Sequence, residues 1–314
     1  MPGAARGIAR LPALTARVPP RWLAPVRRYG ALYVFLGPFA ILTALFGLWP
    51  IAESIRVAFA DSQTALSDAP DYVGLDNFRS VFADPAFLSS IWRTAAFTGV
   101  SVVLNVALAM ALAMLLSHRL LERGRTLFKL AIFLPVITPD AASFIVWKWM
   151  FNQNFGVVNH VLLALGLPPA PGLTTPWGAF TTLVLVEAWH HVGLYALIFL
   201  TNLQLLDRSL EEAAHIDGAN ARQRFVNVTL PQLRPAITIN TIYALIEFLK
   251  TFTAVFVITR GGPNFSTDFV SFYAWSKFNT GAYGEAAAIA TVLFLAIFVI
   301  VAGVYRSLDT SQAP

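Results

Sequence analysis

Apolar and polar positions follow one long wavelength along this chain, with stretches of some twenty apolar residues separated by short polar segments. Six such stretches stand out, at roughly 32–53, 91–116, 127–151, 177–203, 237–258 and 285–305. A helix needs about 20 apolar residues to cross the hydrocarbon core of a bilayer. The pattern therefore predicts an all-α integral membrane protein with about six transmembrane helices. The third stretch holds Pro135 and Pro139. Proline removes a backbone donor and clashes with the preceding turn, so this span is expected to be kinked or broken, its freed carbonyls satisfied by neighbouring helices.

The charges between the spans set an orientation. The N-terminal segment carries Arg6, Arg10, Arg17, Arg21, Arg27 and Arg28 and no acid. The loop after span two carries Arg119, Arg123, Arg125 and Lys129, and the loop after span four carries Arg208, Arg222, Arg224 and Arg234. The opposite loops differ: the first holds Asp61, Asp68, Asp71, Asp76 and Asp84 against Arg56 and Arg79, and residues 152–176 hold only the titratable His160. By the positive-inside bias both termini are expected on the cytoplasmic side. The organisation expected is a basic tail over 1–30, a transmembrane domain over 31–306 and a short tail over 307–314. The first span is too long for the apolar part of a signal peptide and no small-residue cleavage site follows it closely, so it reads as uncleaved. The tail before it would be mobile and drawn to anionic headgroups.

Composition narrows the choice. Hydrophobic residues make up 57% of the 314, charged residues only 12%, and mean hydropathy is +0.64. Soluble domains carry about 25% charged residues, and a core of this size could not hide the excess apolar surface from water. There is no cysteine, which excludes disulfides and thiolate metal sites. The net charge of +5 belongs to the flanks of the spans and forms no basic stripe interleaved with aromatics, so nucleic acid is not an expected partner.

One polar segment is too long and too ordered to be a linker. Residues 207–235 begin with Asp207 and Ser209, which can cap a helix, and place Glu211 and Glu212 in its first turn, where the dipole favours acid. Leu210, Ala213, Ala214 and Ala221 give a small apolar face. Gly218 marks a break or a close backbone approach. A second short helix over 222–228 is expected to end at Pro231 and Pro235. Two short amphipathic helices of this kind are a docking element.

At this segment the chain resembles a known family. Glu212-Ala213-Ala214, Asp217-Gly218 and Val228-Thr229-Leu230-Pro231 match the EAA loop of binding-protein-dependent ABC importer permeases, with Val228 where the family has Ile. The spacing and the position after span four both fit. The form Glu-Ala-Ala-x-Ile-Asp-Gly-Ala resembles the carbohydrate branch. So does Val73-Gly74-Leu75-Asp76-Asn77-Phe78 in the first external loop, and Thr259-Arg260-Gly261-Gly262-Pro263 followed by Ser266-Thr267 resembles the external turn of the maltose-type first permease. Arg93 departs from the asparagine that family members often carry there.

The resemblance implies a type I ABC importer permease fold over nearly the whole chain, with an EAA coupling helix, in a bacterial inner membrane. It implies a second permease as heterodimer partner, two ATP-binding subunits and an extracytoplasmic solute-binding protein. No phosphate-cradling P-loop occurs in the chain. ATP and Mg are therefore expected on the partner ATPase, with no cofactor on this non-catalytic chain. The resemblance assigns ATPase coupling to Glu212, Ala213, Ala214, Asp217, Gly218, Leu230 and Pro231. Asp76, Asn77, Gly261, Gly262 and Pro263 become candidates for binding-protein contact.

Polar groups inside spans mark a candidate pathway, since burying them is costly. Glu187, His191 and Tyr195 fall four apart on one helical face, beside Trp189 and His190. Asn240, Tyr243, Glu247 and Lys250 form a second face on span five. Aromatic rings with hydroxyl-binding groups suit a sugar. Glu247 and Lys250 equally suit an ion pair holding helices together. Lys148 lies between Trp147 and Trp149, which would also fit an interfacial aromatic belt. The two histidines lack a third ligand at zinc spacing. Two other readings stay open: a glycerol-phosphate importer of the same family, with Lys148 or Lys250 at an anion site, and an ion-gradient-driven transporter using Glu187 and Glu247.

Overall fold

A computed structural model of the chain describes residues 24–67, 69–117 and 125–308. Arg6, Arg10, Arg17, Arg21, Arg119, Arg123 and Asp68 and the end of the C-terminal tail lie outside the described residues. The chain forms two compact units, divided between Glu53 and Ser54. The first unit holds α1 (Ala24–Thr43), a π turn (Ala44–Leu48) and the start of α2 (Trp49–Ala58). Residues 24–30 are helical and run into the first span.

The second unit continues with α3 (Asp76–Ala83), α4 (Pro85–Ser117), α5 (Arg125–Ile137), α6 (Asp140–Met150), α7 (Val157–Ala164) and α8 (Pro176–Leu205). It ends with α9 (Arg208–Ile216), α10 (Ala221–Arg224), α11 (Leu230–Gln232), α12 (Arg234–Leu249), α13 (Val270–Asn279) and α14 (Tyr283–Leu308). Among the described residues the β pairing is a single bridge, Ala60 to Tyr72.

Four helices are individually long and apolar enough to cross a membrane: Val34–Ala58, Pro85–Ser117, Pro176–Leu205 and Tyr283–Ser307. The other two expected spans are broken, each for a local reason. α5 and α6 form a pair bent by 101°. The bend sits at Thr138-Pro139, where Pro139 cannot continue the α5 hydrogen-bond ladder, while Pro135 is absorbed within α5. The stretch expected at 237–258 is α12, then a break after Lys250, then a π turn over Val255–Thr259.

The core lies between α4, α8 and α12, with Phe97, Phe144, Leu183, Val186, Tyr195, Phe199 and Phe248 buried in one cluster. Phe97 packs edge-on against Phe180 and Phe248 and lies 4.7 Å from Phe269. α8 is started by Thr175, whose hydroxyl accepts from Gly178 N at 3.1 Å with Pro176 at the first helical position. It seats against α5 through Gly193. A Cβ there would stand 2.1 Å from the Ile132 carbonyl oxygen, so only glycine permits the approach.

Candidate functional site

The segment after α8 is built by local capping. Asp207 caps α9 by accepting from Ser209 N at 2.9 Å, and the Ser209 hydroxyl, with that N–H second, holds its carboxyl below the usual carboxylate range. α9 ends in a Schellman motif: Ala219 N donates to Ala214 O at 3.0 Å and Gly218 N donates to His215 O at 3.1 Å. Gly218 has φ +79, and an added Cβ would meet nothing within 4 Å. Of the two expected roles, a break or a close approach, the glycine makes the break. Asn220 and Gln223 then form a reciprocal capping box at 2.9 Å each way, which starts α10. Arg224 donates to Ala219 O at 2.8 Å and ties the second helix to the end of the first.

The second helix does not end where the prolines predict. Helical backbone continues from α10 through a π turn over Phe225–Thr229 and α11 into α12. The wider turn lets Leu230 N bond to Phe225 O, so the place of Pro231 in the ladder needs no N–H. Pro235 occupies the first turn of α12, where a missing donor costs little. Leu230 and Pro231 are therefore half-buried parts of a continuous rod, whereas Glu212, Ala213 and Asp217 are exposed. The apolar side chains beside them are exposed too, Leu210 at 51% and Ile216 at 85%.

Deeper in the bundle the expected polar face of α8 is formed. Glu187 and Tyr195 are buried. His191 Nδ1 lies 3.2 Å from Glu187 Oε2, and its ring stacks on Tyr195 at 6.2 Å. The face of α12 joins it through Asn240, whose Nδ2 donates to Tyr195 O at 3.3 Å. Tyr195 OH, Asn240 Oδ1 and His190 Nδ1 find no protein partner, nor do Thr98 Oγ1, Ser101 Oγ and Asn105 Oδ1 on α4. Such atoms are costly to bury unless something polar meets them.

The other candidates separate. Glu247 pairs with Lys250 at 3.0 Å, both partly exposed, and Tyr243 is exposed. Lys148 donates to Val257 O at 3.0 Å, joining α6 to the π turn of span five. Trp189 meets Trp147 edge-on at 5.2 Å, and Trp149 is exposed.

The opposite end of the second unit gathers the first polar loop, α13 and the start of α14. Asp76 is exposed and pairs with Arg79 at 2.8 Å. Asn77 is a correction. It is buried and donates to Ala58 O at 2.9 Å and Ala60 O at 2.8 Å, so its amide is spent on the chain's own backbone. Gly261 is also buried, against Phe272, while Gly262 and Pro263 are half-buried. The exposed tip of that turn is Asn264 and Phe265.

Several neighbours escape sequence reasoning because they meet only in three dimensions. Asp140 lies 3.1 Å from His190 Nε2, brought there by the bend before α6. Asp84 accepts from Tyr273 OH and lies 3.3 Å from Lys277 Nζ, which lies 2.8 Å from Glu285. The tyrosine bond holds Asp84 below its usual range, while burial and then Asp84 push Tyr273 up to about 12. Burial would pull Lys277 down, but Glu285 and Asp84 outweigh it and push it up. The Asp at 84, at the start of α4 (Pro85–Ser117), is the one sequence signal for this clasp.

Comparison with known proteins places the chain among transport components. Residues 105–313 match the family described as binding-protein-dependent transport system inner membrane component. The trehalose/maltose transport system permease protein MalF of Thermococcus litoralis is 32% identical over 84% of this chain and 89% of its own length. The sulfoquinovosyl glycerol transport system permease protein SmoG of Agrobacterium fabrum is 32% identical over 91% of this chain and 92% of its own. A solved chain of a bacterial ABC transporter involved in the import of the acidic polysaccharide alginate superposes with a TM-score of 0.81 at 22% identity, covering 94% of this chain and all of that one.

Proposed function

The chain belongs to the family of binding-protein-dependent transport system inner membrane components, and from that premise we propose that it is one permease subunit of an ATP-driven carbohydrate importer. The solute is a di- or oligosaccharide or a polyol. A second permease completes the pathway, two ATP-binding subunits supply the energy with ATP and Mg, and an extracytoplasmic binding protein delivers the solute. Both termini face the cytoplasm, as the loop charges favour.

The observation that carries this reading is the doubly capped element over 207–232, whose first helix is largely exposed. α9 presents Glu212, Ala213, Leu210 and Ile216 to the outside of the chain, which is the surface a docking helix needs. Glu212 supplies the charged contact with the ATPase, Ala213 and Ala214 allow close seating, and Gly218 sets the turn. A displacement of α9 reaches α10 through Arg224. From there it runs along one helical rod to Asn240 and Phe248, beside the polar face of α8. This is rigid-body coupling of the kind used in domain closure.

The unpartnered hydroxyl and amide atoms on α4, α8 and α12 support a polyhydroxylated solute. The relatives' names support a carbohydrate as well. The glycerol-phosphate alternative loses support, because Lys250 is paired with Glu247 and Lys148 is engaged with a carbonyl. An ion-gradient mechanism leaves the docking element without a role.

The test is reconstitution of the permease pair, the ATPase and the binding protein in proteoliposomes, with uptake of labelled maltooligosaccharides and of the binding protein's own ligand. Import should require ATP and every subunit. Uptake that persists without the ATPase, driven by an imposed proton or sodium gradient, would overturn the proposal.

A further inference from the structure

Beside the turn that closes span five lies a cavity of about 150 Å³ lined by Phe256, Arg260, Phe272 and Trp275. That is many times the space one water needs. Its walls are aromatic and fixed against one another. Trp275 meets Phe256 edge-on at 5.0 Å and Phe272 at 5.3 Å, and Phe252 backs all three at 5.4 to 6.4 Å. Arg260 is the one charged side chain in the lining. Arg260 is exposed, and among the described residues no carboxylate pairs with it.

The turn that carries Arg260 is backbone-strained, with Arg260, Asn264 and Phe265 all at positive φ. Arg260 holds the left-handed conformation, φ +50, at the end of the π turn, with its N–H on Val255 O at 2.6 Å. An L-residue there costs roughly 1 kcal/mol or more over glycine. The next residue, Gly261, shows that the chain uses glycine for a positive φ at this turn (φ +80). What sets Arg260 apart is its place in the lining of an aromatic cavity, exposed and with no carboxylate partner among the described residues.

We propose that this cavity binds one ring of an acidic sugar. The apolar face of the pyranose lies on Trp275 and Phe272, and its carboxylate meets the guanidinium fork of Arg260. Flat aromatic walls suit the C–H face of a sugar ring, and one oriented charged group fixes its direction, the usual division of labour in small-ligand sites. Arginine is the side chain whose planar donors match a carboxylate in two parallel bonds. A purely apolar occupant leaves the arginine without a role, and a neutral sugar leaves it without a charge partner.

The proposal deepens the carbohydrate reading and rests on it for the class of ring. The site lies at the end of the span away from the docking element, on the side that reading makes external.

The test titrates D-glucuronate and D-glucose, identical but for the carboxylate, onto the assembled transporter in phosphatidylcholine nanodiscs by calorimetry, without binding protein or nucleotide. Glucuronate should saturate, with glucose weaker by about tenfold or more. Arg260→Gln should bring glucuronate down to the level of glucose, Arg260→Lys should recover part of the difference, and Trp275→Ala should weaken both sugars. Equal binding of the two sugars, no saturation by glucuronate, or unchanged binding in Arg260→Gln would overturn the proposal. Loss of glucuronate binding on adding phosphatidylglycerol would also overturn it, in favour of a lipid headgroup. The two readings fail separately: uptake that works without glucuronate binding sinks this site alone, and glucuronate binding through Arg260 without any sugar uptake sinks the importer reading alone.

Discussion

Asp268 is a buried acid whose cost to the fold can be worked out. It follows the turn after span five and is 7% exposed, and its Oδ1 has no protein partner. Burial pushes its carboxyl up to about 6, with Arg93 pulling the other way. An unfolded aspartate titrates near 3.9, so the net shift of about two units corresponds to roughly 3 kcal/mol at most between the charged and neutral forms. The folded state holds its proton more tightly than the unfolded one. Stability from this group is therefore fully present below about pH 4 and is lost as pH rises through about 6. Asp268→Asn keeps the size and removes the charge. At pH 7.5 it should raise the apparent melting temperature of the purified complex by about 3–6 °C, and the gain should vanish near pH 4. The assay is a thermal scan by intrinsic fluorescence in nanodiscs from pH 4 to pH 8. A variant that melts with the parent at pH 7.5, or gains most at acid pH, would refute the burial argument.

Three further outcomes follow from the geometry. Gly193→Ala places a methyl 2.1 Å from the Ile132 carbonyl oxygen, so α5 and α8 must part, at about 1–3 kcal/mol; limited proteolysis should then cut near the α5–α6 bend faster than in the parent. Asp84→Asn weakens the clasp to Tyr273 and Lys277 by about 1 kcal/mol, a modest value because the pair is partly exposed. Because the folded Asp84 pKa is depressed, that loss should be present at pH 7 and disappear as pH falls below about 4, which parallel melting scans of variant and parent would read. The chain has no cysteine, so Ala213→Cys is unique in it. Copper-catalysed crosslinking should join that position to a cysteine in the partner ATPase and change in yield with ATP.

What the sequence makes legible is what local rules control. The cap at Asp207 and the break at Gly218 depend on residues within a few positions of each other, so the two-helix segment after α8 can be read from its own residues. The face Glu187, His191, Tyr195 follows from four-residue spacing alone. Pro231 misleads, because a π turn just before it supplies the slack that a regular helix lacks. Asn77 reads as a surface residue within a sugar-permease-like run, yet its amide holds two carbonyls 17 and 19 positions away. His190 with Asp140, and Asp84 with Tyr273, 189 positions apart, are products of tertiary packing with no periodic signal. Arg260 reads in sequence as the variable position of a turn. Its aromatic neighbours, brought together from α13 and the π turn, mark it out.

The central claim is that ATP-driven import enters this chain through Glu212 and Gly218. The measurement that tests it most directly is sugar uptake set against ATP hydrolysis in the reconstituted transporter carrying Glu212→Ala or Gly218→Val. Gly218→Val forces a side chain into φ +79 and distorts the Schellman turn, at roughly 1–2 kcal/mol. Both variants should assemble in the membrane, and uptake per ATP hydrolysed should fall about tenfold or more, as expected for loss of a coupling contact worth more than about 1.4 kcal/mol. Uptake at the parent's rate in both variants would contradict the account.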